Sequence, residues 1–522
     1  MLVEALENIG PCLSTELADY LVRTHGLTPE AARKRVSRAT SAPKVKRLVH
    51  LTFARKARFL YLESDFMSES YLAALTKAIH QMGGAYSMAL SAVEARSIVP
   101  IDQFTIICGS PISQKKHLSA QSTLDRLVKA NVLTIRDIAG LGECVVQRLF
   151  EANGQDPASQ IAEARSRFIT EGVLLKAARD WVTHLGMASW NKVECRDDNG
   201  LKEPWPKVGT FAWDLAGPSY VAALTWWKGA KLNPGFVVCD VGLHGRVGLP
   251  ELKSFLHKCQ TLRQLRGIGK TIHVFIAESY THEALVAAKA AGVLPATPDT
   301  LFGKGANAGF MALASVLKDL AQQTLDPEKF HVLFEGLSRV EGAVGNMRGA
   351  LFEMLVAELV RRTQANARID LNRQCKGNDG NKAEVDVFVT VPNQPPRLIE
   401  CKGNNPDATL SDEEVALWLD TRILRVRQYL ERTREGPAVK PVFELWHTGR
   451  LSIPAMKKIV ATRHVNRNKF DLMVYGPEKI REMVTAFGDH AFTNTFVQHF
   501  LPSLMDPHAE QNGRNDNAEV AA

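Results

Sequence analysis

The pattern of hydrophobic and polar positions divides the chain into regions of two kinds. The pattern of residues 1–155 predicts two groups of short amphipathic helices, and each group is followed by strand-like runs of period two. Residues 157–305 and 335–501 instead alternate longer helices with apolar strands, which is typical of α/β domains. The sequence therefore predicts a multi-domain α/β protein. Between the last two regions we expect a helical connector over residues 306–334. The polar segment 502–522 lacks an apolar period, so we expect a disordered tail.

The first 65 residues have the element order of a winged helix-turn-helix. A short helix over residues 2–8 precedes a second helix that Gly26 ends, and Thr28 then caps a third helix that starts at Pro29. Two strand-like runs, VKRLVHLTF and ARFLYLES, follow. Helices followed by a β-hairpin in this order place a basic third helix where it could enter a DNA groove. A weaker version of the order recurs over residues 66–155. It has fewer basic residues, and we expect it to have a structural or spacer role.

Positive charge is concentrated in the first of these modules. The chain of 522 residues has a formal net charge of +8. Residues 31–60 contain ten basic residues and no acidic one, so the rest of the chain sums to −2 (+8 minus +10). These candidate nucleic-acid contacts are Arg33, Lys34, Arg35, Arg38, Lys44, Lys46, Arg47, Arg55, Lys56 and Arg58. A solvated basic helix, or a winged helix that binds another protein, is the alternative.

Length and composition exclude several classes of protein. A chain of this length is too long for one small binding module and holds several domains. The eight cysteines lie far apart, with no C-x-x-C pair, which argues against a structural zinc site and favours a reducing, cytoplasmic compartment. No apolar stretch reaches the roughly 20 residues of a membrane span, so no membrane partner is expected.

Candidate catalytic chemistry lies on two strand-like segments of the C-terminal region. Asp386 falls in the buried run EVDVFVTV, and Glu400 and Lys402 fall at i and i+2 of RLIECKG, so their side chains leave the same face of a strand. Two carboxylates, with the backbone carbonyl of Cys401 between Glu400 and Lys402, are suited to Mg²⁺ or Mn²⁺. Lys402 could orient a water or stabilise charge on a phosphate. The alternative is a buried Asp–Lys–Glu ion-pair network without a metal.

With a glutamate-bearing helix ahead of them, these residues resemble the PD-(D/E)XK nuclease superfamily. The resemblance covers roughly residues 335–485 and includes the helix text RGALFEMLVAELV. It implies a restriction-endonuclease-like domain over 335–501, in which Asp386 and Glu400 bind the metal and Lys402 is the catalytic lysine. It also implies that Glu353 completes the site, with Glu358 as a substitute. Val385 stands where the family's proline would be, and Glu384 is a possible further acid.

Residues 157–305 repeat the same order in a degraded form. Asp214 and Asp240 take the places of Asp386 and Glu400, Gly242 replaces the lysine, and Lys176 stands where the helix glutamate would be. We therefore expect an inactive nuclease-like domain that packs as an internal pseudo-dimer or holds substrate. An unrelated α/β domain is the alternative. Tryptophans of this region are expected in the core or at interfaces rather than as base-stacking platforms: Trp213, Trp226 and Trp227.

The function that these residues favour is a metal-dependent endonuclease acting on DNA, with RNA a less favoured substrate. Host defence in the manner of restriction enzymes is one setting, and DNA repair or recombination within a complex is another. A non-catalytic DNA-binding regulator or scaffold is the alternative from a different class. A protein partner or a homo-oligomer is compatible with either. Further basic residues of the C-terminal region could contact phosphates: Lys376, Lys382, Arg422, Arg425 and Arg427.

Overall fold

A computed structural model describes most of the chain. The described residues are 1–38, 44–51, 53, 56–138, 140–148, 157–198, 203–228, 230–265, 267–321, 333, 336–337, 340, 343–364, 366–403, 405–406, 408–433 and 440–501. The chain divides into two compact units, Met1–Asn307 and Ala308–Ala522. Arg55, the predicted tail and much of the predicted connector lie outside the described residues. Among the helices that are described, none has both the length and the apolar character needed to cross a bilayer.

The N-terminal segment of the first unit packs helices against a small antiparallel sheet. Its elements are α1 (Leu2–Ile9), β1 (Cys12–Leu13), α2 (Ser14–His25), α3 (Pro29–Ser37), β2 (Val45–Arg47) and β3 (Phe59–Leu62). The strand order is β1-β3-β2. The Thr28 hydroxyl accepts a hydrogen bond from the Ala31 backbone N–H at 3.3 Å, which confirms the predicted cap of α3. Apolar side chains of all three helices meet those of the sheet in one core.

The next segment repeats this order of elements. It consists of α4 (Glu69–Met82), α5 (Gly84–Arg96), β4 (Ile98–Pro100), α6 (Ile101–Ile107), α7 (Ala120–Lys129), β5 (Leu133–Ile138) and β6 (Gly142–Gln147). Its sheet has the order β4-β6-β5, so the first strand again pairs with the last. Both segments therefore place two helices between the first and second strands of a small antiparallel sheet.

The remainder of the first unit is built on a larger mixed sheet. Its elements are α8 (Pro157–His184), β7 (Glu194–Cys195), β8 (Lys207–Val208), β9 (Phe211–Ala212), β10 (Leu215–Ser219), β11 (Trp226–Lys228), β12 (Lys231–Asn233), β13 (Gly235–Val247), α9 (Leu249–Gln264), β14 (Thr271–Tyr280), α10 (His282–Ala290), β15 (Leu294–Ala296) and α11 (Pro298–Phe302). The main sheet runs β15-β14-β13-β10-β7, and β8/β9 and β11/β12 form separate ribbons. Helix α12 (Ala306–Ala321) follows.

The second unit contains a sheet of the same topology. Its elements are α13 (Ala343–Thr363), β16 (Arg368–Lys376), β17 (Lys382–Thr390), β18 (Arg397–Lys402), α14 (Asp412–Leu417), α15 (Ile423–Arg432), β19 (Val442–His447), α16 (Ile453–Asn466), β20 (Asp471–Tyr475), α17 (Pro477–Thr485) and α18 (His490–His499). The strand order is β16-β17-β18-β19-β20. A π-helical turn, Trp418–Arg422, joins α14 to α15.

The two mixed sheets match strand by strand. In each, a long helix comes first, the first two strand pairs are antiparallel, and the last two pairs are parallel. Helices α9 and α10 make the parallel crossovers of the first sheet, and helices including α15 and α16 make those of the second. Residues 157–305 and 343–475 thus share one topology.

A glycine lets the long helix of the second unit approach the end of β18. A Cβ atom at Gly403 would lie 2.4 Å from the Cβ atom of Phe352 and 2.7 Å from the carbonyl oxygen of Arg348, both on α13. The second of these is a backbone atom, so a larger residue has to move the helix itself. The close approach brings the turn of α13 that carries Glu353 next to the residues that end β18.

We predict that Gly403→Ala lowers the free energy of unfolding of the second unit by about 1–3 kcal/mol, the usual result of overpacking. The matched control is Gly349→Ala on α13, where an added Cβ meets nothing within 4 Å. That change should instead stabilise the protein by about 0.5–1 kcal/mol, because alanine favours the helix. Denaturant-induced unfolding of both variants measures the difference, and equal effects would contradict the proposed close packing.

Candidate active site

Asp386 and Glu400 face each other on neighbouring strands. The antiparallel register pairs Val387 with Ile399, and one residue further along it sets Asp386 across from Glu400. Both carboxylates are buried, with 8% and 3% of their surface exposed. Asp386 Oδ2 accepts a hydrogen bond of 2.7 Å from the Cys401 backbone N–H. This bond ties the Asp386 carboxylate to the strand that carries Glu400.

Two cations share one oxygen of Glu400. Lys402 Nζ lies 2.9 Å from Glu400 Oε1, and the Arg422 guanidinium lies 2.5 Å from the same atom. Arg422 ends the π-helical turn, whose extra residue per turn changes which side chains face the sheet. The sequence placed Arg422 among possible phosphate contacts, but in the structure it pairs with a carboxylate of the site.

Glu353 adds a further acid from α13. Burial raises the pKa of Glu353 well above its usual range, and the charges of Asp386, Glu384 and Glu400 act in the same direction against Lys402. Burial also raises the pKa of Asp386 strongly, with Glu400 and Glu384 adding to the effect. Asp386, Glu400 and Glu353 thus form an acidic cluster around Lys402.

Lys402 remains a cation within this cluster. Burial alone would lower the pKa of the ammonium group, but the nearby carboxylates of Glu400 and Asp386 outweigh burial and raise the pKa above its usual value. Lys402 is thus protonated at neutral pH. In this state it can attract an anion and hold a water by donating a hydrogen bond, but it cannot accept a proton.

The residues of the cluster suit a hard divalent cation in their chemistry, because carboxylate and carbonyl oxygens are the ligands that Mg²⁺ and Mn²⁺ prefer. Over the described part of the chain, however, no three His, Cys, Asp or Glu side chains already form a group that could hold a metal. At this site Glu400 is paired with Lys402 and Arg422.

The other predicted residues of this unit have separate roles. Glu358 pairs with Arg361 and Arg362 of its own helix, so it is Glu353 that interacts with the cluster. Arg425 pairs with Asp379, and Arg427 with Glu431. Two lysines, Lys376 and Lys382, lie exposed across from each other on β16 and β17.

The basic residues near the N-terminus form an exposed set. Of the ten that the sequence singles out, nine lie within the described residues, and all nine are exposed on α3, on β2, or in the segments that lead into β2 and β3. The tenth is Arg55. One of the nine, Lys46, forms an ion pair of 3.5 Å with Glu63. This surface is accessible to a polyanion.

The first unit contains a second acidic cluster at the equivalent place. Asp214 Oδ2 accepts a hydrogen bond of 2.8 Å from the Val241 backbone N–H, which matches the bond from Cys401 to Asp386. Asp240, the neighbour of Val241, ion-pairs at 2.6 Å with Lys258 of α9. In the second unit, Arg422 likewise contacts Glu400, and it too lies in the connection between two parallel strands, β18 and β19. The two clusters therefore have corresponding parts.

An arginine occupies the centre of this second cluster. Arg196 contacts Glu171 of α8 at 2.9 Å and Asp214 at 2.7 Å, and all three side chains are almost completely buried. The sequence-based assignment of Lys176 to the helix position was wrong, because Lys176 is exposed and Glu171 faces the cluster. Burial opposes ionisation of Glu171, but its arginine neighbours outweigh burial and lower its pKa to about 2.

The segment of residues 66–148 covers this second cluster. The Gln103 side chain donates a hydrogen bond of 2.9 Å to Glu171, and Arg96 donates one of 3.3 Å to the Val241 carbonyl. Lys258 in turn donates one of 2.9 Å to the Ile106 carbonyl. The acids Glu171, Asp214 and Asp240 thus each have a cationic partner within this cluster.

We predict that Asp386→Asn stabilises the second unit at pH 8 without divalent cations, because burial and the neighbouring carboxylates raise the pKa of Asp386 and disfavour its ionised form. The unfolded chain loses the protons of Asp386 and Glu353 near pH 4, whereas the native state holds them to higher pH. Stability therefore falls as pH rises above 4, and the variant weakens this fall. Denaturant-induced unfolding at pH 5 and pH 8 measures the effect.

The matched control for this prediction is Asp370→Asn. Asp370 is also buried on a strand of the same sheet, but it has a cationic partner, Arg373, at 3.2 Å. Removing its charge should therefore destabilise the protein. If Asp386→Asn destabilises the unit as Asp370→Asn does, the prediction that the ionised Asp386 carboxylate lowers the stability of the unit is refuted.

The chain was also compared with known proteins. Protein-family models, curated sequences and solved structures were searched, and none of the three comparisons finds a match. The functional interpretation of this chain therefore rests on its own residues and their geometry.

Proposed function

We propose that the chain is a nuclease that depends on Mg²⁺ or Mn²⁺ and hydrolyses phosphodiester bonds of DNA. The observation that carries the proposal is the acidic cluster that joins the middle of β17 to the end of β18. There Asp386, Glu400 and Lys402 adjoin one another, and Glu353 interacts with them from α13. This combination fits the PD-(D/E)XK resemblance of the sequence.

Each residue of the cluster has a role in this proposal. Asp386, Glu400, Glu353 and the Cys401 carbonyl would hold the cation, which when bound supplies Lewis-acid charge at the scissile phosphate. Lys402, held protonated by its neighbours, would orient the attacking water and stabilise negative charge that develops on the phosphate. Arg422, paired with Glu400, would hold that carboxylate in position.

The first unit would hold the nucleic acid without cutting it. Residues 1–65 would act as a winged helix whose exposed basic residues contact DNA phosphates, and residues 66–148 as a second winged helix with a structural role. Residues 157–305 would be a non-catalytic copy of the nuclease domain, because Arg196 occupies its acidic cluster and Gly242 replaces the lysine.

Host defence is the biological setting that we favour, with repair or recombination as the alternative. All eight cysteines lie in the described part of the chain, are buried and form no disulfide, which fits the reducing cytoplasm. A DNA-binding regulator without catalysis would use the same basic surface, but it has no need for the acidic cluster around Lys402.

We predict that the protein nicks plasmid DNA in the presence of Mg²⁺ or Mn²⁺ and not in EDTA. Lys402→Ala and Asp386→Asn should each lower the rate by at least about 100-fold, because each removes electrostatic stabilisation of the reacting phosphate. Lys457→Ala, which removes an exposed lysine of α16, is the matched control and should retain activity. Equal nicking by the wild type and Lys402→Ala, or none by either over linear, supercoiled and single-stranded DNA, would refute the proposal.

A further inference from the structure

Two exposed ridges of side chains lie next to each other on the second unit. One follows α14, the π-helical turn and α15, and the other follows α16. These helices contribute to one hydrophobic core, and α14 contacts α16 directly. The acidic ridge consists of four exposed residues: Glu413, Leu417, Asp420 and Leu424. The basic ridge also consists of four exposed residues: Ile453, Lys457, Val460 and His464.

Both ridges have the spacing of a surface that packs on another helix. Their residues follow one another at intervals of four, three and four, which is the spacing of the apolar seam in a coiled coil. Leu417 and Leu424 are 47% and 50% exposed, and Ile453 and Val460 are 66% and 62% exposed. A group of large apolar side chains left in water on adjoining helices is typical of an interaction surface.

The charges of the two helical segments are opposite. Residues 411–420 contain four acidic residues and no basic one, whereas residues 453–469 contain five basic residues and no acidic one. A nucleic acid or an anionic membrane attracted to the basic ridge would be repelled by the acidic ridge beside it. A second copy of the chain meets both conditions, because a two-fold axis can place each ridge against its opposite in the other copy.

Contacts between the helices fix the relative height of the two ridges. Asp412 accepts a hydrogen bond from the Ser452 hydroxyl where both helices begin. Further along, Asp420 forms an ion pair of 2.5 Å with Lys458. The two helices therefore run side by side in the same direction, and Asp420 lies at about the height of Lys458 and its neighbour Lys457.

We propose that the chain forms a symmetric dimer in which the acidic ridge of each copy packs on the basic ridge of the other. A two-fold axis parallel to the helices preserves the heights given above. It therefore forms three layers of contact between the copies: Leu417 with Ile453, Asp420 with Lys457, and Leu424 with Val460. Each charged layer lies between two apolar layers. The apolar layers supply affinity, and the charged layer specifies which ridge meets which.

The dimer does not rest on the proposed function. Nicking of one DNA strand needs a single site, so a monomeric chain, and with it Lys457→Ala, is still expected to nick. The dimer is measured on the full chain in EDTA and without nucleic acid, and its outcome is therefore separate from that of the nicking assay. A dimer without nicking refutes the nuclease alone.

The first test is sedimentation velocity of the full chain over a range of micromolar concentrations, at which the wild type should pass from monomer to dimer. Val460→Asp places an unpaired carboxylate in an apolar layer and should raise the dissociation constant of the dimer by at least about tenfold. Val465→Asp is the matched control. Val465 is 76% exposed on the same helix but lies off the ridge, so its substitution should leave the dimer unchanged.

The second test exchanges the charges of the central layer. Lys457→Glu sets Glu against Asp420 of the other copy, and Asp420→Lys sets Lys against Lys457, so each variant alone should dimerise more weakly than the wild type. An equal mixture of the two variants should recover the dimer, because both of its charged layers are again of opposite sign. Recovery also shows that both variants are folded. The exposed pair that Asp420 makes with Lys458 of its own chain contributes little to folding.

Three results would overturn the inference. They are a wild type that stays monomeric at all concentrations, a Val460→Asp chain that dimerises as the wild type does, and a mixture that dimerises no better than either charge variant alone. If the wild type is monomeric and Lys457→Glu instead lowers its affinity for DNA, the basic ridge contacts nucleic acid, and the inference is wrong in that case too.

Discussion

A carboxylate buried in a β-sheet has to be balanced by positive charge or by hydrogen bonds, since removing it from water costs several kcal/mol. Both mixed sheets of this protein place two acids side by side at the same position and add a third from the preceding helix. What differs is the set of cations. In the first unit, Arg196 contacts two of the acids and Lys258 contacts the third. In the second, Lys402 and Arg422 both contact Glu400, and the pKa values of Asp386 and Glu353 are raised.

This difference explains how two domains of one topology can serve different purposes. Arg196 stabilises the first sheet permanently, because its partners Glu171 and Asp214 have no access to solvent. The neighbouring segment of residues 66–148 then packs over the cluster and closes it. At Asp386 and Glu353 the fold instead tolerates burial and mutual repulsion, which raise the pKa of both carboxylates and make their ionised forms costly to stability. Such a local cost in stability is common at functional sites.

The sequence predicted those site residues that lie on strands, because side chains alternate between the two faces of a strand. Asp386, Glu400 and Lys402 follow from a period of two and the adjacency of consecutive strands. The helix acid of the first unit could not be found in this way, because α8 runs for 28 residues and several of its positions could face the sheet. Comparison with the motif of the second unit assigned the helix position to Lys176, whereas in the structure Glu171 of α8 faces the cluster.

The contacts of Arg196 and Arg422 could not be predicted from the sequence, for related reasons. Arg196 follows the two-residue strand β7 in an irregular segment, and its partners lie 18 and 25 residues away. Arg422 depends on a π-helical turn, which shifts the face of a helix without a clear sequence signal. The ribbons β8/β9 and β11/β12 are too short to show a strand period, so the exposure of Trp227, at 67% of its surface, was also unexpected.

The central claim, which belongs to the proposed function, is that the acids Asp386, Glu400 and Glu353 of the second unit bind one divalent cation, whereas the equivalent acids of the first unit, paired with Arg196 and Lys258, bind none. Binding of Mn²⁺ to the full chain at neutral pH, followed by loss of the free-ion electron paramagnetic resonance signal, tests it most directly. We predict binding by the wild type that Asp386→Asn abolishes and that Asp214→Asn leaves unchanged. Binding that survives Asp386→Asn but is lost in Asp214→Asn, or no binding by the wild type at millimolar Mn²⁺, would contradict the account.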